Sequence, residues 1–255
     1  MNCRLWLLCG ILLISLLCRI GYACRHRTIP RDGIWYMEQT AQWSETGDFR
    51  TLENFSVVPG NEPAFRFYPP PCYLYILKTL KAIFPQAPLE TIAIWWGIFI
   101  GTAFVALVYW IAHLTFASSR TALAVAFLAS IHPWCAENAP MPMRDTTFLF
   151  LQTLVLALGL FAWRRRRWRV MGIAGFLAPL VFLCRFEGIM LALFFFGALG
   201  LSAALQRTRF SLQSLTAFLV GTGAGLLFWT WLMGIPWEFY TIYFSKYVYL
   251  RYATP

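Results

Sequence analysis

Four short stretches of this sequence hold residues able to take a proton or grip an anion, and all four lie beside apolar runs. Asp32 is the first acidic residue of the chain and follows its first apolar run. Arg66 opens the stretch Phe67-Tyr68-Pro69-Pro70-Pro71. Arg144 and Asp145 are adjacent at the head of another run, and Arg185 and Glu187 flank Phe186 between two more. A carboxylate can accept the proton of an attacking hydroxyl. A guanidinium can hold phosphate or carboxylate through its planar fork. Plainer roles compete with these. Asp32 and Asp145 each stand near a helix start, where a carboxylate commonly caps the helix or faces its dipole. Arg185 and Glu187 can form a structural pair in a tight turn. His132 precedes Pro133 and reads as structural, while His26, His113 and the seven cysteines show no metal-ligand spacing. A disulfide among Cys24, Cys72, Cys135 and Cys184 stays open.

The elements that must position these residues are membrane spans. The chain is 59% hydrophobic and 13% charged, against roughly 45–50% and about 25% in ordinary globular domains. A spanning helix needs roughly 17–25 mostly apolar residues. Such runs occur near Leu5–Ala23, Ile92–Phe116, Ala122–Pro133, Thr146–Trp163, Val170–Cys184, Ile189–Leu205 and Leu215–Met233, the third and fifth being short. The fold class is an all-α polytopic membrane protein of about seven spans. Arg19 interrupts the first run and six runs follow it, so the first segment reads as an uncleaved span.

Threading the chain this way sorts its charge. All 11 acidic residues can lie on one side, whereas Arg4, Arg120, Arg164 to Arg167, Arg169, Arg207 and Arg209 fall on the other. Loops rich in Lys and Arg face the cytoplasm, so the N-terminus is expected inside and the acidic face outside. The net charge of +10 is thus a topology signal, and nucleic acid is not an expected partner. Ionisable residues are expected at the span ends, away from any path through the middle.

One soluble segment, about 23–90, is long enough to hold a site. From Asp32 to Glu45 the pattern is helical, with Ile34, Met37 and Ala41 on one face and Glu38, Gln42 and Glu45 on another, and Gly47-Asp48 as a stop. Tyr73, Ile76, Leu77, Leu80 and Phe84 predict a second helix lying apolar face down, entered from the proline corner, with Lys78 and Lys81 as headgroup anchors. The aromatic stretch from Trp237 reads as a further interfacial helix opening another outer segment, 235–255.

In this order, Asp32, Tyr36, Ala41 and Gly47-Asp48-Phe49 resemble the opening of membrane glycosyltransferases with the GT-C fold, of the protein-mannosyltransferase and aminoarabinose-transferase type with its Rgt-like bacterial relatives. Phe67 to Tyr73 is similar to that family's Pro-Pro-aromatic entry to a juxtamembrane helix. Arg144-Asp145-Thr146-Thr147-Phe148 resembles its acidic opening of the fourth span, and Arg185-Phe186-Glu187-Gly188 its Arg-x-Glu-Gly turn.

The resemblance implies a single GT-C-like transmembrane domain over 1–255. It also implies sugar transfer from a polyprenyl-phosphate donor to a glycan, lipid or protein acceptor, with inversion, on the outer face of a bacterial inner membrane. Asp32 is then the expected base. Arg66, Arg144 and Arg185 are expected to meet phosphate or carboxylate, with Asp145 and Glu187 as further substrate contacts. Many members carry a second acid directly after the first; here that residue is Gly33, so no metal site is expected there, although a divalent cation stays open. Relatives usually have further spans, so the chain reads as a fragment, a minimal module or a half needing a partner. A lipid-linked-sugar translocase, or an inactive membrane scaffold, is the alternative.

Overall fold

The computed structural model describes residues 3–25, 29–52, 54–58, 61–206 and 208–242. Seven helices run to and fro between two ends of a bundle: α1 (Cys3–Arg25), α4 (Leu89–Phe116), α5 (Ser119–Ile131), α7 (Arg144–Arg164), α8 (Trp168–Cys184), α9 (Ile189–Gln206) and α10 (Arg209–Met233). Three helices lie between them at one end: α2 (Arg31–Thr46), α3 (Pro71–Ile83) and the short α6 (Pro133–Asn138). Five helices, α1, α4, α7, α9 and α10, are long and apolar enough to cross a membrane. With 13 and 17 residues, α5 and α8 reach only about 20 and 26 Å at 1.5 Å per residue, short of a core about 30 Å thick. The all-α polytopic class holds: seven helices form the bundle, and five of them, among the described residues, are long and apolar enough to cross a membrane.

Local chemistry sets the helix ends. The residue before a proline is pushed out of helical conformation, so α5 ends at His132 (ψ 120°) and α6 starts at Pro133. Gly47 ends α2 in the left-handed region (φ 71°), as its Gly-Asp stop predicted. At the other end Arg4 reaches Ser119 (3.2 Å) and Arg164 reaches the Thr115 carbonyl (2.9 Å), tying the starts of α1 and α5 and joining α7 to the end of α4.

In lipid, small side chains let helices approach closely. The α8–α10 seam is built that way. A methyl on Gly221 would lie 2.2 Å from the Gly172 carbonyl oxygen, and one on Gly175 would lie 2.3 Å from that of Phe218. A core of Val155, Met171, Leu191, Phe195 and Phe218 fills the space between α7, α8, α9 and α10.

Two findings correct the sequence reading. Residues Asn54–Val58 and Asn61–Phe67 form an antiparallel hairpin, β1 and β2, in a segment for which only helices and a proline corner were expected. Arg19 lies inside α1 and is fully buried, so the charges do not all sit at span ends. Helix ends leave carbonyls without partners, and the early stop of α5 leaves the Ser130 carbonyl for Arg19 to reach (3.5 Å), beside Ser15 (3.0 Å to its carbonyl). The Nε and one terminal nitrogen of Arg19 find no partner among the described residues. Its side chain is enclosed between α1, α4 and α5.

Candidate active site

A roof of α2, α3 and the turn Phe49–Leu52 covers the ends of α4, α8 and α10. Its core is aromatic: Tyr36, Trp43, Phe49, Tyr68 and Tyr73 pack with Leu74, Leu77, Leu183 and Phe239. Trp43 meets Phe49 edge-on at 5.0 Å between ring centres, and Tyr36 meets Tyr73 edge-on at 5.7 Å. Both are favourable aromatic geometries.

The buried face of α2 is Gly33, Tyr36, Gln39, Thr40 and Trp43, not the expected face of Ile34, Met37 and Ala41. Ile34 is 45% exposed. The two large rings bury more area against α3 than the smaller aliphatic groups could. The lysines of α3 are also not simple anchors. Lys78 stands over the Trp43 ring at 4.6 Å, and burial lowers its pKa. Lys81 donates to the Pro85 and Ala87 carbonyls, both at 2.8 Å, closing the helix end.

Asp32 lies in the first turn of α2 with Pro30 as the cap residue, and Asp145 lies in the first turn of α7 with Met143 in that position. Neither carboxylate is the N-cap residue, but both sit in a first turn, where a negative charge faces the helix dipole. Asp32 is exposed and makes no ion pair or hydrogen bond among the described residues. Asp145 is paired with Arg185, which also donates to Glu187 from Nε (3.2 Å) and a terminal nitrogen (3.3 Å). Burial by itself would lower the Arg185 pKa, but Glu187 and Asp145 outweigh it and hold the guanidinium above its ordinary value. Arg185 also stands over the Phe148 ring at 5.6 Å. It extends from the corner after α8, where Gly188 closes a single turn onto its carbonyl (2.9 Å).

Tyr36 joins the two halves of this group. Arg144 lies over its ring at 5.7 Å. Burial pushes the Tyr36 hydroxyl up to about 12, Arg144 opposes that, and the charges of Asp32 and Asp145 add to it. Tyr36 therefore lies within electrostatic reach of both carboxylates. Position 36 follows Asp32 by one helical turn, the i, i+4 spacing that shares a face, and that spacing was the available sequence signal for it.

Close backbone approaches hold the halves together. A methyl on Gly33 would come 3.0 Å from the Pro142 carbonyl oxygen, and one on Gly97 of α4 would come 1.9 Å from that of Ala139. The loop 139–143, which leads into Arg144 and Asp145, is therefore clamped between α2 and α4. Trp96 adds a hydrogen bond to Thr147 (3.0 Å). Gly33 and Thr147 stood in the sequence motifs, whereas Gly97, Trp96, Ala139 and Pro142 carried no such signal.

The structure thus gathers Asp32, Arg144, Asp145, Arg185 and Glu187 at one end of the bundle. Arg66 has its backbone in β2, opposite Phe55, while its side chain lies outside the described residues. Among the described residues no group of three His, Cys, Asp or Glu side chains could hold a metal ion. Asp145 is paired with Arg185, and Gly33 follows Asp32 where many members carry a second acid. Cys24, Cys72, Cys135 and Cys184 are free thiols. Cys72 and Cys184 meet beneath the roof, where the Cys184 thiol donates to the Arg144 carbonyl (3.6 Å).

Two apolar cavities flank this end. One of about 440 Å³ lies along α8, α9 and α10, walled by Pro179, Phe182, Ala192, Leu226, Trp237 and Tyr240. The other, about 460 Å³, lies between α3 and α4 and is walled by Leu80, Phe84, Trp95, Trp96 and Phe99.

The polytopic helical bundle, with its charged, roofed end, takes its class from the family its sequence matches, which is that of membrane glycosyltransferases of the GT-C kind. The chain belongs to the dolichyl-phosphate-mannose-protein mannosyltransferase family, whose sequence pattern matches residues 69–233. The matched stretch includes Arg144, Asp145, Arg185 and Glu187, while Asp32 and Arg66 precede it. No curated protein matches the chain.

Proposed function

We propose that the chain transfers a sugar from a polyprenyl-phosphate carrier to a hydroxyl of a glycan, lipid or protein acceptor, at the roofed end and with inversion. The acceptor oxygen attacks the anomeric carbon while its proton passes to a carboxylate oxygen of Asp32. The bond from that carbon to the phosphate oxygen breaks, and the electron pair leaves with the phosphate. Arg185 and Arg144 stabilise the charge gained there, in a poorly hydrated setting where fixed cations act strongly. Asp145 and Glu187 hold Arg185 charged and aimed. The cavity beside Phe182 takes the first isoprene units. By its arginine bias we place the roofed end on the outer side of a bacterial inner membrane.

The observation that carries this reading is the contrast between two carboxylates near one tyrosine. Asp145 is held by Arg185, whereas Asp32 is open to take a proton. The test is Asp32→Asn in reconstituted membranes given a lipid-phosphate sugar and cell-envelope acceptors. Transfer should fall by about 10²–10⁴, the usual worth of a general base, with donor binding kept. Wild-type transfer by Asp32→Asn would remove the mechanism.

A further inference from the structure

We propose that the opposite end of the bundle holds a site for one anionic diacyl phospholipid, its phosphate on the arginine corner between α7 and α8 and one acyl chain in the groove between α7 and α9. This is separate from the proposed donor site and does not depend on it.

Arg164 to Arg167 and Arg169 are all exposed. The sequence contains no Asp or Glu between Asp145 and Glu187, and none between Glu187 and Glu238. The four helices α7 to α10 therefore bring no carboxylate to this end. The corner also does not need its guanidiniums. Its backbone closes on itself, with the Arg165 amide on Phe161 (2.9 Å), Arg166 on Trp163 (3.3 Å) and Arg167 on Ala162 (2.9 Å). Arg166 adopts φ 51°, a left-handed conformation costly for a residue with a side chain. Arg164 is spent on the Thr115 carbonyl, and Arg169 lies over Trp168 at 5.5 Å. Arg165, Arg166 and Arg167 have no partner among the described residues.

A positive corner alone would be only a topology signal. Here it adjoins a built groove of about 220 Å³, lined by Leu156, Gly159, Leu160, Trp163, Phe194 and Ala198 and almost wholly apolar. Gly159 and Arg164 are five residues apart on α7, about 7.5 Å along the axis, so the groove opens at the arginines. Trp163, 37% exposed, stands where both meet, the usual depth for tryptophan. Setting topology requires charge and no groove. A cationic corner over an apolar slot between helices matches an anionic headgroup with its acyl chain.

The test uses the full chain in phosphatidylcholine nanodiscs containing about one-tenth phosphatidylglycerol, followed by stepwise delipidation and native mass spectrometry. One phosphatidylglycerol should remain per chain, at least tenfold enriched over its share of the bilayer. Water-soluble glycerol phosphate should not displace it. Ala198→Trp, which fills the groove and leaves every arginine in place, should abolish retention. A triple R165Q/R166Q/R167Q variant should retain both lipids without preference, provided cysteine labelling shows unchanged topology. Equal retention of the two lipids by the native chain would overturn the site. So would Ala198→Trp that keeps phosphatidylglycerol, or displacement by glycerol phosphate, since the corner would then act as bare charge. If the triple variant does not insert, Ala198→Trp decides alone.

Discussion

Tyr36 ties the charged group together, and its chemistry makes a pH prediction. Its hydroxyl is held neutral up to about 12, first by burial, whereas an unfolded tyrosine ionises near 10. Between these values the folded chain keeps a proton that the unfolded chain has lost, so stability falls with rising pH. Below about pH 10 the contribution is complete; it is gone above 12. The gap in unfolding stability between the native chain and Tyr36→Phe should be constant from pH 7 to about 9.5. It should then shrink by roughly 2–3 kcal/mol by pH 12, at 1.36 kcal/mol per unit. Other tyrosines titrate in the same window, so the difference between the two chains is the quantity to measure. The second residue-scale prediction concerns Arg185. Arg185→Ala should weaken lipid-phosphate-sugar binding by at least tenfold, whereas Asp145→Asn should cost less and leave Arg185→Ala no worse when combined with it. Independent effects of the two substitutions would separate the pair functionally.

Among the elements, the loop 139–143 decides whether the two carboxylates share a site. Gly97→Leu would drive a side chain into the Ala139 backbone, where a methyl already falls at 1.9 Å. It should lower the thermal midpoint by several degrees and abolish transfer. Gly197→Leu, with nothing within 4 Å, should do neither. The same geometry explains why Gly33 is not an acid here: Gly33→Asp would push α2 off Pro142, and transfer should fall without any gain in metal binding by calorimetry. How much of this was legible in the sequence varies by element. The positions of the bundle helices followed from apolar runs, since only length and hydropathy decide them. The rotation of α2 did not, because the α3 partner face that chooses Tyr36 and Trp43 is remote in sequence. The β1–β2 hairpin had only a weak signal, the Pro59-Gly60 pair between two short stretches without strict alternation. Asp32, Asp145 and Arg185 were legible as candidates because each borders an apolar run. Tyr36 was legible as part of the opening motif but not as a site residue, since a tyrosine in an amphipathic helix usually packs.

Over the whole molecule, the prediction is one of sidedness. On a cysteine-free background, a cysteine at position 60 should react with an impermeant maleimide from outside, and one at position 166 only after permeabilisation. The reverse pattern would invert the proposed orientation and put the charged group in the cytoplasm. The short helices α5 and α8 make a related point. A bundle with two members below full span can thin the bilayer beside them at modest cost. The α8 side is also where the 440 Å³ cavity lies, so a carrier phosphate there would have less depth to cross.

Phe239 packs against Phe49 at 5.9 Å and Tyr68 at 6.1 Å between ring centres, yet it is synthesised 190 residues after Phe49. At about 5–20 residues per second of translation, the roof waits tens of seconds for this last ring. In the proposed orientation α2 and α3 have by then been translocated, while the end of α10 on which they pack does not yet exist. Assembly of the charged end is therefore a late event in biogenesis, set by the ribosome. In pulse-chase experiments the segment around Phe49 should stay open to protease until α10 has inserted, and Phe239→Ala should prolong that exposure without changing the insertion of any span.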